Sequence, residues 1–236
     1  MSAILRVFLG WDSNEAVSYH VLAHSILRHA SVPVSVTPLK LSQLPMTRER
    51  TPTQSTEFSF SRFLVPWLCG YEGQAIFMDC DMLCRDDIAG LHGESRKAVS
   101  VVKHDYQPRP EDKFLGQRQS IYAKKNWSSV MVFDNNLCRK LTPEYVNSAT
   151  GLELHQFKWL PSDAWIGSLA PEWNCLISEE NQCRVEEAKI LHFSRGGPWF
   201  KKFSECDGSN EWFEEKSLML HYNGVGEYSL KERQAA

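Results

Sequence analysis

The chain has 236 residues, of which 42% are hydrophobic and 23% charged, a composition typical of a globular protein with its own core. With 26 Lys and Arg against 29 Asp and Glu, its formal net charge is −3. This balance provides no basic excess for a phosphate backbone, so we do not expect nucleic acid as a partner. The apolar runs are shorter than the roughly 20 residues of a membrane span, so we expect no transmembrane segment.

The seven cysteines are an odd number at scattered spacings, and the first ten residues contain no hydrophobic signal region. These features predict reduced thiols and a cytoplasmic location. Cys80 and Cys84 lie four residues apart, but no second pair completes a zinc site.

The first part of the chain predicts a β-loop-α-β unit, which is the beginning of a parallel sheet. Ile4–Leu9 is typical of a buried strand, a helix covers about Glu15–Ala30, and Val34–Thr37 predicts a second strand. Between the first strand and the helix, the run Gly10-Trp11-Asp12-Ser13-Asn14 combines turn residues with helix-capping side chains.

The rest of the chain predicts further strands and helices with two long loops, at 42–56 and 103–125. The second loop is long enough that we expect it to cover a site. The other predicted elements, in chain order, are a helix at Glu57–Leu68 with Pro66 near its end, a strand at Gln74–Met78, a short helix at Asp86–Leu91, strands at Ala98–Val102 and Val130–Phe133, a helix that begins at Thr142-Pro143-Glu144, and a strand at Lys189–Phe193. One α/β domain accounts for all of them.

Two carboxylates, Asp79 and Asp81, directly follow the predicted strand Gln74–Met78. Ligands of open α/β sheets bind beyond the carboxyl ends of strands, and alternate residues of a strand share one face. Adjacent anions repel each other, whereas a hard divalent ion such as Mg²⁺ or Mn²⁺ would neutralise them and also bind phosphate oxygens. An isolated Asp-x-Asp pattern is also common as a pair of polar caps at a strand end, so that alternative stays open here.

His192 ends another apolar strand, and the turn Gly196-Gly197-Pro198-Trp199 follows it. A neutral imidazole is a plausible third metal ligand, and a glycine-rich turn lets backbone amides approach phosphate. The alternative for His192 is a hydrogen-bonded histidine of the core.

Four groups of residues follow one another over about 4–200. They are Phe8-Leu9-Gly10-Trp11-Asp12 with Ser25-Ile26-Leu27; Ser61-Arg62-Phe63-Leu64-Val65-Pro66 leading to Phe77-Met78-Asp79-Cys80-Asp81-Met82-Leu83; Ser128 to Asp134 with Asp163 and Leu169-Ala170-Pro171-Glu172-Trp173-Asn174; and His192-Phe193 with Gly196-Gly197-Pro198-Trp199. In this order they resemble the nucleotide-sugar glycosyltransferases of the GT-A fold, most closely family 8, the glycogenin and bacterial galactosyltransferase group. The resemblance implies a single Rossmann-like GT-A domain at 1–225 with a mixed, mostly parallel central sheet, followed by a polar tail at 226–236.

The resemblance also implies roles for individual residues. Asp79, Asp81 and His192 would hold Mn²⁺, or Mg²⁺, against the diphosphate of the donor. Arg62 would lie near the first aspartate and the donor sugar, and Asp163 would contact the sugar at the reacting centre. The expected nucleotide-binding residues are Gly10, Trp11, Asp12, Asn14, Cys80, Gly196 and Gly197.

In three places the chain departs from the family pattern. The family's Asn-Ala-Gly run is replaced by Trp127-Ser128-Ser129, with Asn126 one place early, and we expect Asn126, Trp127 and Ser128 to contact sugar or acceptor. Asp163 is followed by Ala164 where Gln is usual. The Lys of the closing motif is absent, since Gly197 stands there, and we expect Arg195 to supply its charge.

The function that the resemblance implies is metal-dependent transfer of a hexose from a nucleotide diphosphate donor, expected to be a UDP-sugar, with retention of anomeric configuration. The acceptor could be a glycan, a lipid-linked glycan or a protein. Two alternatives remain: a haloacid-dehalogenase-like phosphatase with Asp79 as nucleophile and Asp81 as acid, and a sugar-nucleotide-binding module without catalysis.

Overall fold

The computed structural model describes residues 4–49, 54–92, 97–105, 122–177 and 183–221. The predicted tail at 226–236 and most of the predicted loop at 103–125 lie outside these residues. In the described part, no helix has the length and apolar character needed to cross a membrane. Each of the seven cysteines is a thiol rather than half of a disulfide, as predicted.

The centre of the protein is a six-stranded sheet with the strand order β2-β1-β3-β6-β5-β7. The three pairs β1–β2, β1–β3 and β5–β7 are parallel, whereas β6 runs antiparallel to both of its neighbours. The predicted mixed, mostly parallel sheet is therefore confirmed. The strands are β1 (Leu5–Gly10), β2 (Val34–Leu39), β3 (Gln74–Met78), β5 (Val99–Val101), β6 (Val130–Asp134) and β7 (Ile166–Ser168).

The register of this sheet places three chain segments at one edge. Leu9 near the end of β1 pairs with Met78 at the end of β3, and Met78 pairs with Val130 at the beginning of β6. The residues that follow β1 and β3, and those that precede β6, therefore meet at the same edge. This is the edge where α/β sheets bind ligands.

A second, three-stranded sheet has the order β4-β9-β8, with β4 at Met82–Cys84, β8 at Cys175–Leu176 and β9 at Ile190–His192. Met82 pairs with His192 across the antiparallel pair β4–β9, and the amide of Phe193 donates to the carbonyl of Asp81 over 2.9 Å. Sequence patterns predicted β9 but neither β4 nor β8, because strands of two or three residues are too short for a visible alternation.

The first helix, α1 (Ala16–His29), agrees with its prediction within one residue at each end. The helix predicted at 57–68 is wrong as a single element. The chain instead forms turns, a 3-10 helix at Ser61–Leu64 and a one-turn helix, α2, at Val65–Leu68. Pro66 lies in the first turn of α2, where its missing N–H costs little, and the same residue inside a longer helix would break the hydrogen-bond ladder.

Among the described residues, three further α-helices, α3 to α5, follow α2. Thr142 caps α3 (Pro143–Ser148), as the sequence predicted, and a capping box at Thr150 begins α4 (Gly151–His155). The short helix predicted at 86–91 is a 3-10 helix at Ile88–Leu91. The helix α5 (Ser209–His221) was not predicted, because its sequence carries only a weak apolar stripe among charged residues.

A buried ion pair attaches α5 to α1. The Glu215 carboxylate, 3% exposed, lies 2.6 Å from Nδ1 of His24 and 2.6 Å from Nη2 of Arg28. One turn earlier, the fully buried Trp212 packs 5.4 Å from Trp199, ring centre to ring centre. The helix therefore stabilises the segment that follows β9.

We expect Glu215→Gln to lower the free energy of unfolding by about 1–3 kcal/mol, because the buried hydrogen bonds to two basic side chains lose their charged acceptor. Glu214→Gln, on the neighbouring exposed residue, should stay within about 0.5 kcal/mol of the wild type. Urea unfolding followed by circular dichroism measures both. Equal losses in the two variants would contradict this role of Glu215.

Candidate metal centre

Asp79, Asp81 and His192 come together at the ligand-binding edge of the sheet. One carboxylate oxygen from each aspartate and one imidazole nitrogen all lie within 4.8 Å of one another. The three residues are 8%, 6% and 2% exposed. Both aspartates lie in the short connection between β3 and β4, and the pairing of β4 with β9 places His192 next to them. Two hard oxygens and one imidazole nitrogen form a ligand set suited to a divalent cation.

Electrostatics also favours a cation at this position. The pKa of Asp79 is raised to about 6, mainly because the carboxyl is buried; Arg62 acts in the opposite direction, and the neighbouring Asp81 adds to the rise. Arg62 is itself buried, and its Nη1 lies 2.7 Å from Oδ1 of Asp79. One guanidinium faces two buried carboxylates, so a bound divalent ion would relieve the remaining repulsion.

Asn174 fixes the orientation of the His192 ring. Oδ1 of Asn174 lies 2.8 Å from Nδ1 of His192, and Nδ2 of Asn174 donates to the carbonyl of Asn126 over 3.3 Å. Because the amide nitrogen is used by Asn126, its oxygen is the acceptor, and the hydrogen of the histidine lies on Nδ1. The lone pair of Nε2 then faces Asp81, whose Oδ1 is 3.4 Å away. Metal-bound histidines are commonly held by such a partner.

In the sequence, Asn174 was noted only as part of a motif, and its role beside His192 was missed. The available signal was its position, as a polar residue directly before the apolar segment that becomes β8. The structure shows that Asn174 is fully buried.

The bracing segment, residues 124–129, contacts the candidate centre from the other side. The carbonyl of Ser128 accepts a hydrogen bond from Nη1 of Arg62 over 2.9 Å, and the carbonyl of Ser129 accepts one from the amide of Asp79 over 2.9 Å. Oγ of Ser128 lies 2.8 Å from Nδ1 of His155. The segment therefore holds both members of the Arg62–Asp79 pair.

Asn126, Trp127 and Ser128, predicted to contact sugar or acceptor, thus lie beside the metal group. Asn126 has a left-handed backbone with φ of 60°, and Nε1 of Trp127 donates to the carbonyl of His104 over 2.9 Å. Direct contact of these three residues with a sugar stays a prediction.

The loop after β1, predicted to bind the nucleotide, is held in place by hydrogen bonds to Asp12. Asp12 is 1% exposed, and its two carboxylate oxygens accept hydrogen bonds from the amides of Asn14 and Glu57, each over 2.9 Å. A side chain at Gly10 would lie 2.5 Å from the ring of Phe58, so only glycine fits there. Trp11 is partly exposed. Asp12 therefore shapes this loop, and its predicted contact with base or ribose stays a prediction.

The remaining predicted nucleotide residues lie on either side of the metal group. The Cys80 side chain is fully buried, 3.9 Å from the carboxylate of Glu15, so a nucleotide could meet only its backbone. In the turn after β9, a side chain at Gly197 would lie 2.1 Å from the ring of Trp199. The amide of Gly196 already donates to the carbonyl of Phe193 over 2.8 Å, and Arg195 is partly exposed.

Asp163, predicted to act at the reacting centre, lies outside the buried metal group. Its side chain is 73% exposed and forms an ion pair with Nζ of Lys124 at 2.5 Å. The hydrogen bond from Lys124 holds the pKa of this carboxyl below its usual range. Asp163 precedes β7, whereas Asp79 follows β3, which runs in the same direction. A catalytic role for Asp163 stays a prediction.

Three solved structures that are similar to this chain are glycosyltransferases. The bifunctional glycosyltransferase WbbM has a TM-score of 0.63 at 15% identity, over 92% of this chain and 50% of that one. GlyE of Streptococcus pneumoniae has a TM-score of 0.58 at 14% identity, over 93% of this chain and 62% of GlyE. The galactosyltransferase LgtC, solved with donor and acceptor sugar analogues, has a TM-score of 0.52 at 9% identity, over 93% of this chain and 98% of LgtC. The chain thus spans about half of WbbM and less than two thirds of GlyE. The protein has the GT-A glycosyltransferase fold.

No family model matches the chain. Protein CDI of Arabidopsis thaliana is 41% identical in an alignment 232 residues long; the alignment covers 92% of this chain and 87% of that protein. The chain belongs to the family of Protein CDI.

We expect Asn174→Ala to weaken Mn²⁺ binding by about 10- to 100-fold, the usual cost of losing the residue that orients a metal-binding histidine. Titration calorimetry with MnCl₂ measures the change, and thermal unfolding of the same samples checks the fold. Asn147→Ala is the control, because Asn147 accepts from the amide of Thr47 in a different loop. An unchanged Mn²⁺ affinity in Asn174→Ala would show that the histidine does not bind the ion.

Proposed function

We propose that this protein is a metal-dependent glycosyltransferase that takes a hexose from a nucleotide diphosphate donor, a UDP-sugar. The observation that carries the proposal is the buried group of Asp79, Asp81 and His192 at the ligand-binding edge of a GT-A sheet. The sequence resemblance to family 8 supports the same conclusion. The ion is Mn²⁺ or Mg²⁺, both of which accept carboxylate ligands together with phosphate oxygens.

In this proposal each group of residues has a distinct task. Asp79, Asp81 and His192 hold the ion, which supplies positive charge for the diphosphate leaving group. The loop from Gly10 to Asn14, together with the backbone of Cys80, lines the base and ribose. Arg62 keeps Asp79 in place and lies beside the donor sugar.

We further propose that the acceptor is a glycan, a lipid-linked glycan or a protein, and that Asn126, Trp127 and Ser128 border it. The turn at Gly196 and Gly197 would border the diphosphate. A catalytic domain at 1–225 and a cytoplasmic location belong to the same proposal.

The test is calorimetric titration with UDP, with and without Mn²⁺. We expect Mn²⁺-dependent binding of UDP in the wild type, weaker binding of ADP and GDP, and loss of the metal-dependent part in Asp79→Ala and Asp81→Ala. Asp81→Asn covers the case in which Asp79→Ala misfolds because Arg62 loses its buried partner. Asp207→Ala, at an exposed aspartate, is the matched control.

Three results would contradict the proposal. Unchanged affinity in both aspartate variants would overturn the metal assignment. Hydrolysis of p-nitrophenyl phosphate that is lost in Asp79→Asn would favour the phosphatase alternative. Tight UDP-sugar binding without any turnover would favour a binding module.

Arg195 is proposed as the cation that replaces the missing lysine of the closing motif. It lies three residues after His192, and its planar guanidinium suits phosphate oxygens. The diphosphate gains charge as the glycosidic bond breaks, so Arg195→Ala should lower kcat for UDP release from a UDP-hexose by about 10²-fold, with a smaller change in KM. A kcat within a factor of about two, or ~0.5 kcal/mol of barrier, would exclude this role.

Retention of anomeric configuration is proposed on the family resemblance, which also names Asp163 as the candidate carboxylate. The first product should therefore have the same anomeric configuration as the donor. Proton NMR of the product at early time points measures this directly, and the opposite anomer would show inversion.

A further inference from the structure

An exposed turn before β7 lies among lysine side chains from other segments, in a chain with a formal net charge of −3. All five residues of the turn, 161–165, are exposed, and Asp163 is its one carboxylate. Lys124 donates to this carboxylate, and Lys158 and Lys103 also act on it electrostatically. These three residues are named the lysine group. Three ammonium groups against one carboxylate leave an excess of positive charge on this surface.

Two members of the lysine group are held in place by backbone carbonyls. Nζ of Lys124 donates to Asp163 over 2.5 Å and to the carbonyl of Gln156 over 3.1 Å, and Nζ of Lys103 donates to the carbonyl of Ile166 over 3.0 Å. An ammonium group has three N–H donors, so these contacts leave both residues with donor capacity for a ligand. The Lys124 side chain is 12% exposed, whereas Asp163 is 73% exposed. The positive charge is therefore fixed, and the carboxylate opposite it is solvated.

The same turn presents an aromatic face. Trp165 is 38% exposed, and its backbone is fixed because its carbonyl accepts from the amide of Ala98 over 3.1 Å. An exposed indole is large, rigid and apolar on its face, and the C–H groups of a pyranose ring pack well against such a surface.

We propose that the lysine group and Trp165 bind an acidic sugar chain, in which carboxylates meet the ammonium groups and a sugar ring stacks on the indole. This inference rests on the proposed function and deepens it, since it names the acceptor as an extended glycan that carries uronic acids. An extended chain is required because Asp163 precedes β7 whereas Asp79 follows the parallel-running β3. The bracing segment 124–129 connects the two places, since Lys124 contacts Asp163 and Ser129 contacts Asp79.

The charge distribution favours this ligand over a nucleic acid or a membrane. Three lysines in an acidic chain are far fewer than the 6–10 phosphate contacts of a typical nucleic-acid interface. Trp165, in the same turn as Asp163, adds an aromatic face for a sugar ring, which a membrane surface would not use.

The experiment measures binding of tetragalacturonate and of its full methyl ester, in which each carboxylate is replaced by an uncharged ester, together with a hyaluronan tetrasaccharide as a second acidic chain. We expect the methyl ester to bind at least about fivefold more weakly than tetragalacturonate, given the usual strength of exposed ion pairs. Lys103→Gln combined with Lys158→Gln should weaken tetragalacturonate binding by about fivefold and reduce its dependence on salt. The charge-matched control is Lys40→Gln with Lys140→Gln, at two exposed lysines outside the lysine group.

The aromatic contact has its own matched pair. Trp165→Ala should weaken binding of tetragalacturonate, and Trp165→Phe should restore most of it, whereas Trp67→Ala should have no effect. Trp67 is 37% exposed on α2, so it matches Trp165 in exposure but not in position.

Lys158→Glu changes one exposed residue of the lysine group, so this single variant should fold even if the double lysine variant does not.

Several outcomes would overturn the inference: no binding of either acidic chain, equal binding of the methyl ester, or equal losses in the control pair. Binding to vesicles of anionic lipid that depends on the same lysines would also overturn it, in favour of a membrane surface. Mn²⁺-dependent UDP binding is measured on the same samples and should be unchanged in all these variants. If UDP binds but the acidic chains do not, the inference fails alone; if wild-type protein binds no UDP, the proposed function fails.

Discussion

The arrangement around the candidate metal centre depends on one constraint: two carboxylates, Asp79 and Asp81, are buried next to each other at the end of β3. Buried like charges destabilise a fold unless opposite charge and hydrogen bonds surround them. Arg62 supplies one positive charge, the amide of Asp79 is fixed by the carbonyl of Ser129, and His192 lies beside Asp81. The protein retains a site that a divalent cation would complete, which indicates that the carboxylates serve binding rather than stability.

The bracing segment 124–129 links the parts of this site that are far apart in sequence. Its carbonyls contact Arg62, Asp79 and the side chain of Asn174, and Lys124 contacts Asp163. Such contacts through the backbone do not require particular side chains. Such contacts are compatible with Trp127-Ser128-Ser129 at the place where the family pattern that this chain resembles has Asn-Ala-Gly.

The second sheet and α5 have a supporting task. The pairing of β4 with β9 sets the distance between Asp81 and His192, because Met82 and His192 are direct partners. The turn after β9 packs through Trp199 onto Trp212 of α5, and Glu215 attaches that helix to α1. The position of His192 therefore depends on a helix that is about 20 residues away in sequence and contributes no ligand itself.

The sequence by itself determined the α/β class, the position of β3 to the residue, and the two aspartates that follow it, because a buried strand ending in polar residues has a local pattern. It also indicated His192, through an apolar strand that ends in a single imidazole. Only the tertiary structure decided that the three residues meet and that Asn174 orients the histidine. It also decided that backbone amides hold Asp12 and that Lys124 holds Asp163. These contacts join residues that no local period relates, and short elements such as β4 and α2 form because of packing partners elsewhere in the chain. A sequence pattern records which residues can be buried together, whereas the partner of each polar atom is set by how the strands and helices pack.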